Sequence, residues 1–391
     1  MLLNNHSRIE KSYSFIFIGF IFFSAIFCNT SKVNLLFHIS FILFIFSLIV
    51  SKETRNQFIN DRQFLRGLIF PFIFLLYFSL SNLWSSNPEN ITSTLKHVLY
   101  LLAFICLYRQ LEIFGYKKYV MGAVFIGMTF LSVLTLIMVD KSTLAVNRLD
   151  NAFPWAPDNV IDLGGYMVIG IFCGIIFIRE TRKNWLYLLM PVLLISLILT
   201  QSRGPLIAFM AAFILLFIVN PAYSKKNALF GIAIIAAVIF TIFMTKFSNV
   251  FIDRFETLYQ QSFIRFGIWH NALETGMQKP IWGWGYDKSL TFVNSVGQNI
   301  STTHTIYLAS FLKGGIVGFL LFMSVIGYGL LQSFKHLKIN QKTEISIFIF
   351  SLIYYLSQGM FIIGNPQEFW FLFWFPLAVI LSTPIRVAVS K

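Results

Sequence analysis

The feature that most constrains this chain is a series of long, nearly uncharged apolar runs. Tyr13 to Cys28, Val33 to Val50 and Gly67 to Leu83 are examples, and each approaches the roughly 17 to 25 residues with which a helix crosses a bilayer. Over the whole chain 57% of the residues are hydrophobic and only 12% are charged, more apolar surface than a soluble core requires. The sequence therefore predicts an all-α, polytopic integral membrane protein and excludes a soluble nucleotide-binding enzyme.

Division of the chain at its polar breaks predicts about twelve membrane-spanning helices. Their ranges are 13–29, 33–50, 67–84, 93–108, 119–139, 160–178, 185–200, 205–219, 228–244, 306–331, 345–361 and 369–385. We expect one transmembrane domain over residues 1–391, because no internal repeat or soluble domain boundary is visible. Cys28, Cys106 and Cys173 all lie in apolar runs, which predicts packing roles rather than metal binding.

The distribution of charge predicts the orientation of these spans. Lysine and arginine accumulate in short cytoplasmic loops. With a cytoplasmic N-terminus, the inner segments contain 19 of the 30 cations and 6 of the 16 acids, a net charge of +13 against +1 outside. Both termini are then cytoplasmic. The overall charge of +14 is thereby explained by orientation, and it indicates no nucleic-acid partner.

The longest connection, residues 245–304, falls on the outer side. Apolar residues recur at helical spacing over 251–259 and over 266–277, which predicts two short amphipathic helices at the membrane surface. Pro280 ends the second one. The stretch Ile281 to Asp287 then forms a turn with two glycines among aromatic residues, typical either of an interfacial aromatic belt or of a turn that contacts substrate.

Ionisable residues at the ends of spans are functional candidates, because they cost free energy there. Arg203 lies in a short outer hairpin and is the only charge between Asn184 and Tyr223. His304 directly precedes a span, and Arg265 lies between the two amphipathic helices. Arg254 is a weaker candidate, since Asp253 and Glu256 beside it also suit a surface ion pair. An ordinary turn and a structural hydrogen-bonding histidine are the corresponding alternatives for Arg203 and His304.

Several motifs of nucleotide- and metal-dependent enzymes are missing from the sequence. There is no glycine-rich phosphate loop, no His-x-x-x-His pair, no cysteine ligand set and no Asp-x-Asp. We therefore predict neither a cofactor nor a metal. Outer acids such as Glu89, Asp140, Asp150, Asp158 and Asp162 are scattered among different connections.

These motifs resemble those of the O-antigen ligase and polymerase superfamily of bacterial envelope glycosyltransferases. The resemblance rests on four elements in order, with a long outer loop before the histidine: Thr200 to Arg203 after a span, Arg265 to Leu273, Pro280 to Gly285, and His304 to Gly318. Two departures are Thr305 after the histidine, where asparagine, serine or glutamine is usual, and Ile207 in place of leucine. Neither removes a catalytic group.

The resemblance implies a GT-C-like fold in the bacterial inner membrane with a periplasmic active site. It implies an O-antigen ligase activity that moves a glycan from undecaprenyl pyrophosphate to the lipid A-core oligosaccharide, with membrane lipids as the surroundings. Arg203 and Arg265 suit stabilisation of the pyrophosphate, with Arg254 as a further substrate-binding residue. His304 suits the general base, and the displacement would invert the anomeric centre.

Two alternatives differ from this interpretation. A polymerase would join undecaprenyl-linked repeats to one another, but twelve spans and a histidine just before a span favour the ligase. A lipid-linked oligosaccharide flippase would need broken helices or inverted repeats near the middle of the membrane, whereas this chain concentrates its polar candidates at one face.

The predicted orientation can be tested with reporter fusions. We expect a fusion near Gly285 to report a periplasmic position and fusions at both termini to report cytoplasmic positions, because of the cation distribution. A cytoplasmic signal at Gly285 would invert the topology and move Arg203, Arg265 and His304 to the wrong side.

Overall fold

The protein is almost entirely helical, as the apolar runs predict. The computed structural model describes residues 7–140, 148–149, 153–219, 258–294, 297–337 and 341–382. The helices in these ranges are α1 Arg8–Ile26, α2 Asn34–Val50, α3 Lys52–Asn60, α4 Arg62–Leu80, α5 Ile91–Ile113, α6 Lys117–Met138, α7 Val160–Thr181, α8 Met190–Leu199, α9 Arg203–Val219, α10 Leu258–Met277, α11 Ile306–Leu337, α12 Lys342–Tyr354 and α13 Phe375–Ser382. Short 3-10 helices cover Ser31–Val33, Ser81–Trp84, Pro88–Asn90 and Asn184–Leu189, and a π-helix covers Trp370–Trp374.

The all-α, polytopic membrane fold is confirmed. Seven helical segments in the described residues are long and apolar enough to cross a bilayer, and three shorter apolar helices accompany them. The predicted span 228–244 lies outside the described residues. A two-stranded antiparallel hairpin, β1 Phe292–Val293 with β2 Asn299–Ile300, is the sheet structure in the described part of the chain.

Aromatic side chains fill the interior between the helices. Trp370, in the π-helix, contacts the rings of Phe20, Phe37 and Phe104 at centroid distances of 6.1, 5.2 and 5.0 Å. These edge-on contacts are favourable arrangements for ring quadrupoles. The chain segment 370–382 is therefore buried among the other helices, and Trp374 is fully buried with it.

Ion pairs connect the segments that the charge distribution assigns to the cytoplasm. Glu344 is fully buried and contacts Lys117 at 2.8 Å and Arg179 at 2.6 Å, while Arg109 pairs with Asp61. A buried carboxylate requires such partners, because an unpaired one is strongly destabilising.

Segments assigned to the outer side likewise contact one another. The carboxylate of Asp287 accepts hydrogen bonds from Ser85 Oγ at 3.1 Å and from Asn90 Nδ2 at 3.0 Å. The long loop thus packs on the connection between α4 and α5. The sorting of the chain into two sides is consistent with these contacts, and the sidedness itself stays a prediction.

Two predicted spans end early or are interrupted where the sequence indicates an unbroken apolar run. The span predicted over 345–361 begins at Lys342 but ends as helix at Tyr354, because the carbonyl oxygen of Tyr355 accepts hydrogen bonds from Ile306 N and Thr305 Oγ1, both at 3.3 Å. The span predicted over 306–331 extends to Leu337 and is interrupted at Gly315. Both breaks lie near the residues described next.

Candidate active site

His304 lies in a left-handed turn immediately before α11. Its φ is +51°, which costs free energy for any residue with a side chain and persists only where neighbouring groups hold it. Thr303 Oγ1 donates a hydrogen bond to Thr305 O at 2.6 Å, and the bonds to Tyr355 O anchor the residues that follow. His304 is one of three residues other than glycine with positive φ in the described chain, so its backbone is tightly specified.

The electrostatic surroundings of His304 suit a proton acceptor. Burial lowers the pKa of the His304 imidazole, and the positive charge of Arg265 lowers it further. The ring is therefore neutral near pH 7. Burial also lowers the pKa of Arg265, but a guanidinium starts from such a high value that it stays charged.

Arg203 is the first residue of α9 and follows a turn that other polar groups stabilise. Gln201 in this turn also has a positive φ, +49°. Arg148 donates hydrogen bonds to Thr200 O and Ser202 Oγ, both at 3.2 Å. A second arginine, which the sequence analysis did not single out, thus stabilises the turn beside Arg203 through hydrogen bonds.

The segment Ser357–Gly359 joins the two parts of the site. A Cβ atom on Gly204, next to Arg203, would lie 2.5 Å from Ser357 Oγ, and one on Gly359 would overlap His304 N and lie 2.8 Å from His304 Cα. The start of α9 and the histidine turn therefore pack against the same three residues. The structure thereby connects Arg203 with His304, which are 101 positions apart in the sequence.

Arg265 lies within α10, the helix predicted over 266–277 and observed over Leu258–Met277. The expectation that Arg265 lies between two helices is therefore wrong, because the helix begins earlier than its apolar spacing indicates. The apolar face of α10 packs on α11 through a small cluster of Ile268, Ala272, Leu290 and Leu312. This packing brings Arg265 close enough to His304 to influence its pKa. Arg254 and the helix predicted over 251–259 lie outside the described residues, apart from the start of α10.

The turn after Pro280 packs closely against α11, because both segments have glycines where they meet. Gly283, Gly285 and Gly315 all have positive φ, and a Cβ on Gly315 would overlap the carbonyl of Ile281. Trp284 N donates to Leu312 O at 3.1 Å and Gly285 N donates to Lys313 O at 2.8 Å. The glycines thus serve close backbone packing, whereas Trp282, with 58% of its surface exposed, fits an interfacial aromatic position.

Buried polar residues near the site were missed by the sequence reasoning. Asp162 belongs to the first turn of α7 and is 1% exposed, so it is no loop acid. Its Oδ1 accepts hydrogen bonds from the Tyr354 hydroxyl and from Gln358 Nε2, the latter at 2.6 Å. The available signal was an acid inside an apolar run. Nothing in the sequence indicated that this acid contacts Gln358.

A second buried acid is Glu368, whose carboxylate lies 3.9 Å from Cys28 Sγ. Burial raises the pKa of Glu368, and the charge of Asp158 raises it further. Across the described residues no group of three His, Cys, Asp or Glu side chains could hold a metal ion. The expectation of a metal-free site stays a prediction.

Comparison with known proteins finds a similarity over the stretch that contains the candidate site. The family model described as O-antigen ligase matches residues 188–323, the stretch that contains Arg203, Arg265 and His304. Over this stretch the chain matches the O-antigen ligase family. It is similar to an O-antigen ligase of Pseudomonas aeruginosa, with 31% identity over 214 residues.

This alignment covers 52% of the chain and 51% of the Pseudomonas protein, so the chain spans about half the length of the relative it matches. The resemblance inferred from the four motifs is confirmed, since all of them fall within the matched stretch. Asp162 and Ser357–Gly359 lie outside the residues that the O-antigen ligase family model covers. Their part in the site is visible only in the structure.

Gly315→Ala tests whether the glycine packing is required. We expect this substitution to lower the apparent melting temperature in detergent and to expose residues 278–288 to protease, because the new Cβ has no room and the positive φ adds strain. Gly327→Ala is the matched control on the same helix, where nothing lies within 4 Å of the added atom. It should be neutral or stabilising, since alanine favours a helix over glycine by about 1 kcal/mol. Equal behaviour of the two variants would contradict the packing role.

Proposed function

We propose that this protein transfers an O-antigen glycan from undecaprenyl pyrophosphate to the lipid A-core oligosaccharide. The observation that carries the proposal is the packing of Gly204, next to Arg203, and of the His304 backbone against Ser357–Gly359, with the charge of Arg265 acting on His304. One neutral base and two arginines suit a reaction in which a pyrophosphate leaves a sugar. We assign the reaction to the periplasmic face of the bacterial inner membrane, because the charge distribution predicts that these residues lie on the outer side.

The chemistry follows from the three side chains. The His304 imidazole takes the proton of an acceptor sugar hydroxyl as that oxygen attacks the anomeric carbon of the donor. The bond between this carbon and the pyrophosphate oxygen breaks, and the electron pair leaves with the pyrophosphate. The guanidinium groups of Arg203 and Arg265 stabilise the charge that develops on its oxygens. A single displacement inverts the anomeric configuration.

Direct reconstitution tests this function. Purified protein in liposomes is offered an undecaprenyl-pyrophosphate-linked glycan together with lipid A-core, or with a second undecaprenyl-linked repeat, each with and without EDTA. We expect glycan on lipid A-core in both EDTA conditions. Extension of the undecaprenyl-linked chain alone would instead identify a polymerase, and donor movement across the bilayer without transfer would identify a flippase.

Conservative variants test the residue roles in the same assay. His304→Gln keeps a hydrogen-bonding side chain without a base and should lower kcat by about 10² to 10⁴-fold. Arg203→Lys keeps the charge without the planar fork and should fail nearly as badly as Arg203→Ala, because misplacement by about 1 Å can cost about 10²-fold in rate.

The pH profile gives a further check on His304. Its pKa is lowered, so activity should persist below pH 6.5, the ordinary histidine pKa, and should fall only as the ring becomes protonated at lower pH. Removal of the Arg265 charge should move this fall to higher pH. Near-normal turnover of His304→Gln would show that the histidine is a structural group, and wild-type rates in Arg203→Ala would remove that arginine from the site.

A further inference from the structure

The polar groups Asp162, Tyr354 and Gln358 form a hydrogen-bonded cluster, here called the Asp162 cluster, that the proposed reaction does not use. All three side chains are buried, at 1%, 0% and 6% exposure. Asp162 Oδ1 accepts two hydrogen bonds, while Oδ2 has no partner among the described residues. A buried carboxyl group with an unpaired oxygen costs free energy, so stability alone gives no reason for it.

On one side, the Asp162 cluster is hydrogen-bonded to the peptide that contacts His304. Gln358 Oε1 accepts a hydrogen bond from Gly359 N at 2.9 Å, while Gln358 Nε2 is held by Asp162. The side chain of Gln358 thus fixes the peptide that contacts the His304 backbone. Because Gly359 lies against His304 with no room for a Cβ, a shift of this peptide moves the histidine turn.

The other end leads to the turn before Arg203. Asp162 belongs to the first turn of α7, and Asn159 Oδ1 accepts from Ile161 N at 2.9 Å at the start of that helix. Two residues after Asp162, a Cβ on Gly164 would lie 3.2 Å from both Thr200 Oγ1 and Pro205 Cγ. The start of α7 therefore contacts the Arg203 turn directly.

We infer that Asp162 is a positioning residue which, through Gln358, sets the location of His304 relative to Arg203. The inference rests on the proposed function for its effect on turnover. Asp162 acts through other residues and is not assigned contact with substrate. Positioning requires that Asp162 Oδ1 accept hydrogen bonds, and it does not require the negative charge of the side chain.

Four variants separate positioning from a merely structural role. Asp162→Asn keeps Oδ1 as an acceptor. Gln358→Met removes the hydrogen bonds of the Gln358 side chain with Asp162, Tyr354 and Gly359 N at similar volume. The third variant combines Asp162→Leu, Tyr354→Phe and Gln358→Met, so that the whole Asp162 cluster becomes apolar. Gln332→Met is the control, since Gln332 is equally buried but its amide oxygen contacts Gln63 on another part of the bundle.

Two measurements are made on each variant at matched membrane levels. The first is kcat and donor KM in the reconstituted assay, together with the apparent melting temperature. The second is the rate at which diethyl pyrocarbonate modifies His304, followed by mass spectrometry of its peptide. The modification rate reports the surroundings of the imidazole without any dependence on transfer.

For Asp162→Asn and Gln332→Met we expect near-wild-type kcat and His304 modification. Gln358→Met should lower kcat by about 10 to 100-fold, with donor KM within about twofold, because a displaced base affects the chemical step. The apolar variant should show the same loss while melting near the wild-type temperature, since three side chains that bond to one another become apolar together and only Gly359 N loses its acceptor. Faster modification of His304 should accompany both losses.

Wild-type turnover in the apolar variant would overturn the inference, as would a defect in Asp162→Asn equal to that of Gln358→Met. If Gln358→Met does not fold, the apolar variant carries the test. Failure of the proposed function is recognised separately, by absent transfer in the wild type or normal turnover in His304→Gln. In that case the His304 modification rates still decide whether the Asp162 cluster holds the histidine.

Discussion

Every backbone group that is withdrawn from water in a membrane protein must find its hydrogen-bond partner within the protein. The helices of this chain satisfy that requirement internally, but the breaks between and within them do not. The carbonyl of Tyr355 accepts from Ile306 N and Thr305 Oγ1, and Trp284 N and Gly285 N donate to the carbonyls of α11. The non-helical segments thus supply hydrogen-bond partners for one another's backbone groups. The candidate site is formed where these segments meet.

Glycines, which have no side chain, allow these non-helical segments to pack closely against one another. Gly204 contacts Ser357, Gly359 contacts the His304 backbone, and Gly283 approaches Gly315. Small residues allow such approaches between membrane helices. The same packing holds His304 in a left-handed conformation that it would not prefer in isolation, and Gln201 in the turn before Arg203 adopts a left-handed conformation as well. Backbone strain of this kind is maintained by its surroundings and is frequent at functional sites.

The electrostatics of the site favour an anionic ligand. Arg265 and His304 are close enough for the charge of one to lower the pKa of the other, and Arg148 adds a positive charge that is hydrogen-bonded to the carbonyl and hydroxyl groups of the Arg203 turn. A pyrophosphate would compensate the concentrated positive charge, and a neutral imidazole beside it keeps its capacity to accept a proton. The proposed transfer reaction uses both properties.

The sequence by itself determined the membrane class, the helical fold and the identity of Arg203, Arg265 and His304 as candidates. It could do so because apolar runs of bilayer length and isolated charges are one-dimensional signals. The tertiary structure alone decided that α12 ends at Tyr354, that Ser357–Gly359 contacts both halves of the site, and that Asp162 binds Gln358 across 196 positions of sequence. These contacts depend on which helix faces pack together, and in a bundle that is apolar on nearly every face the sequence pattern does not reveal that choice.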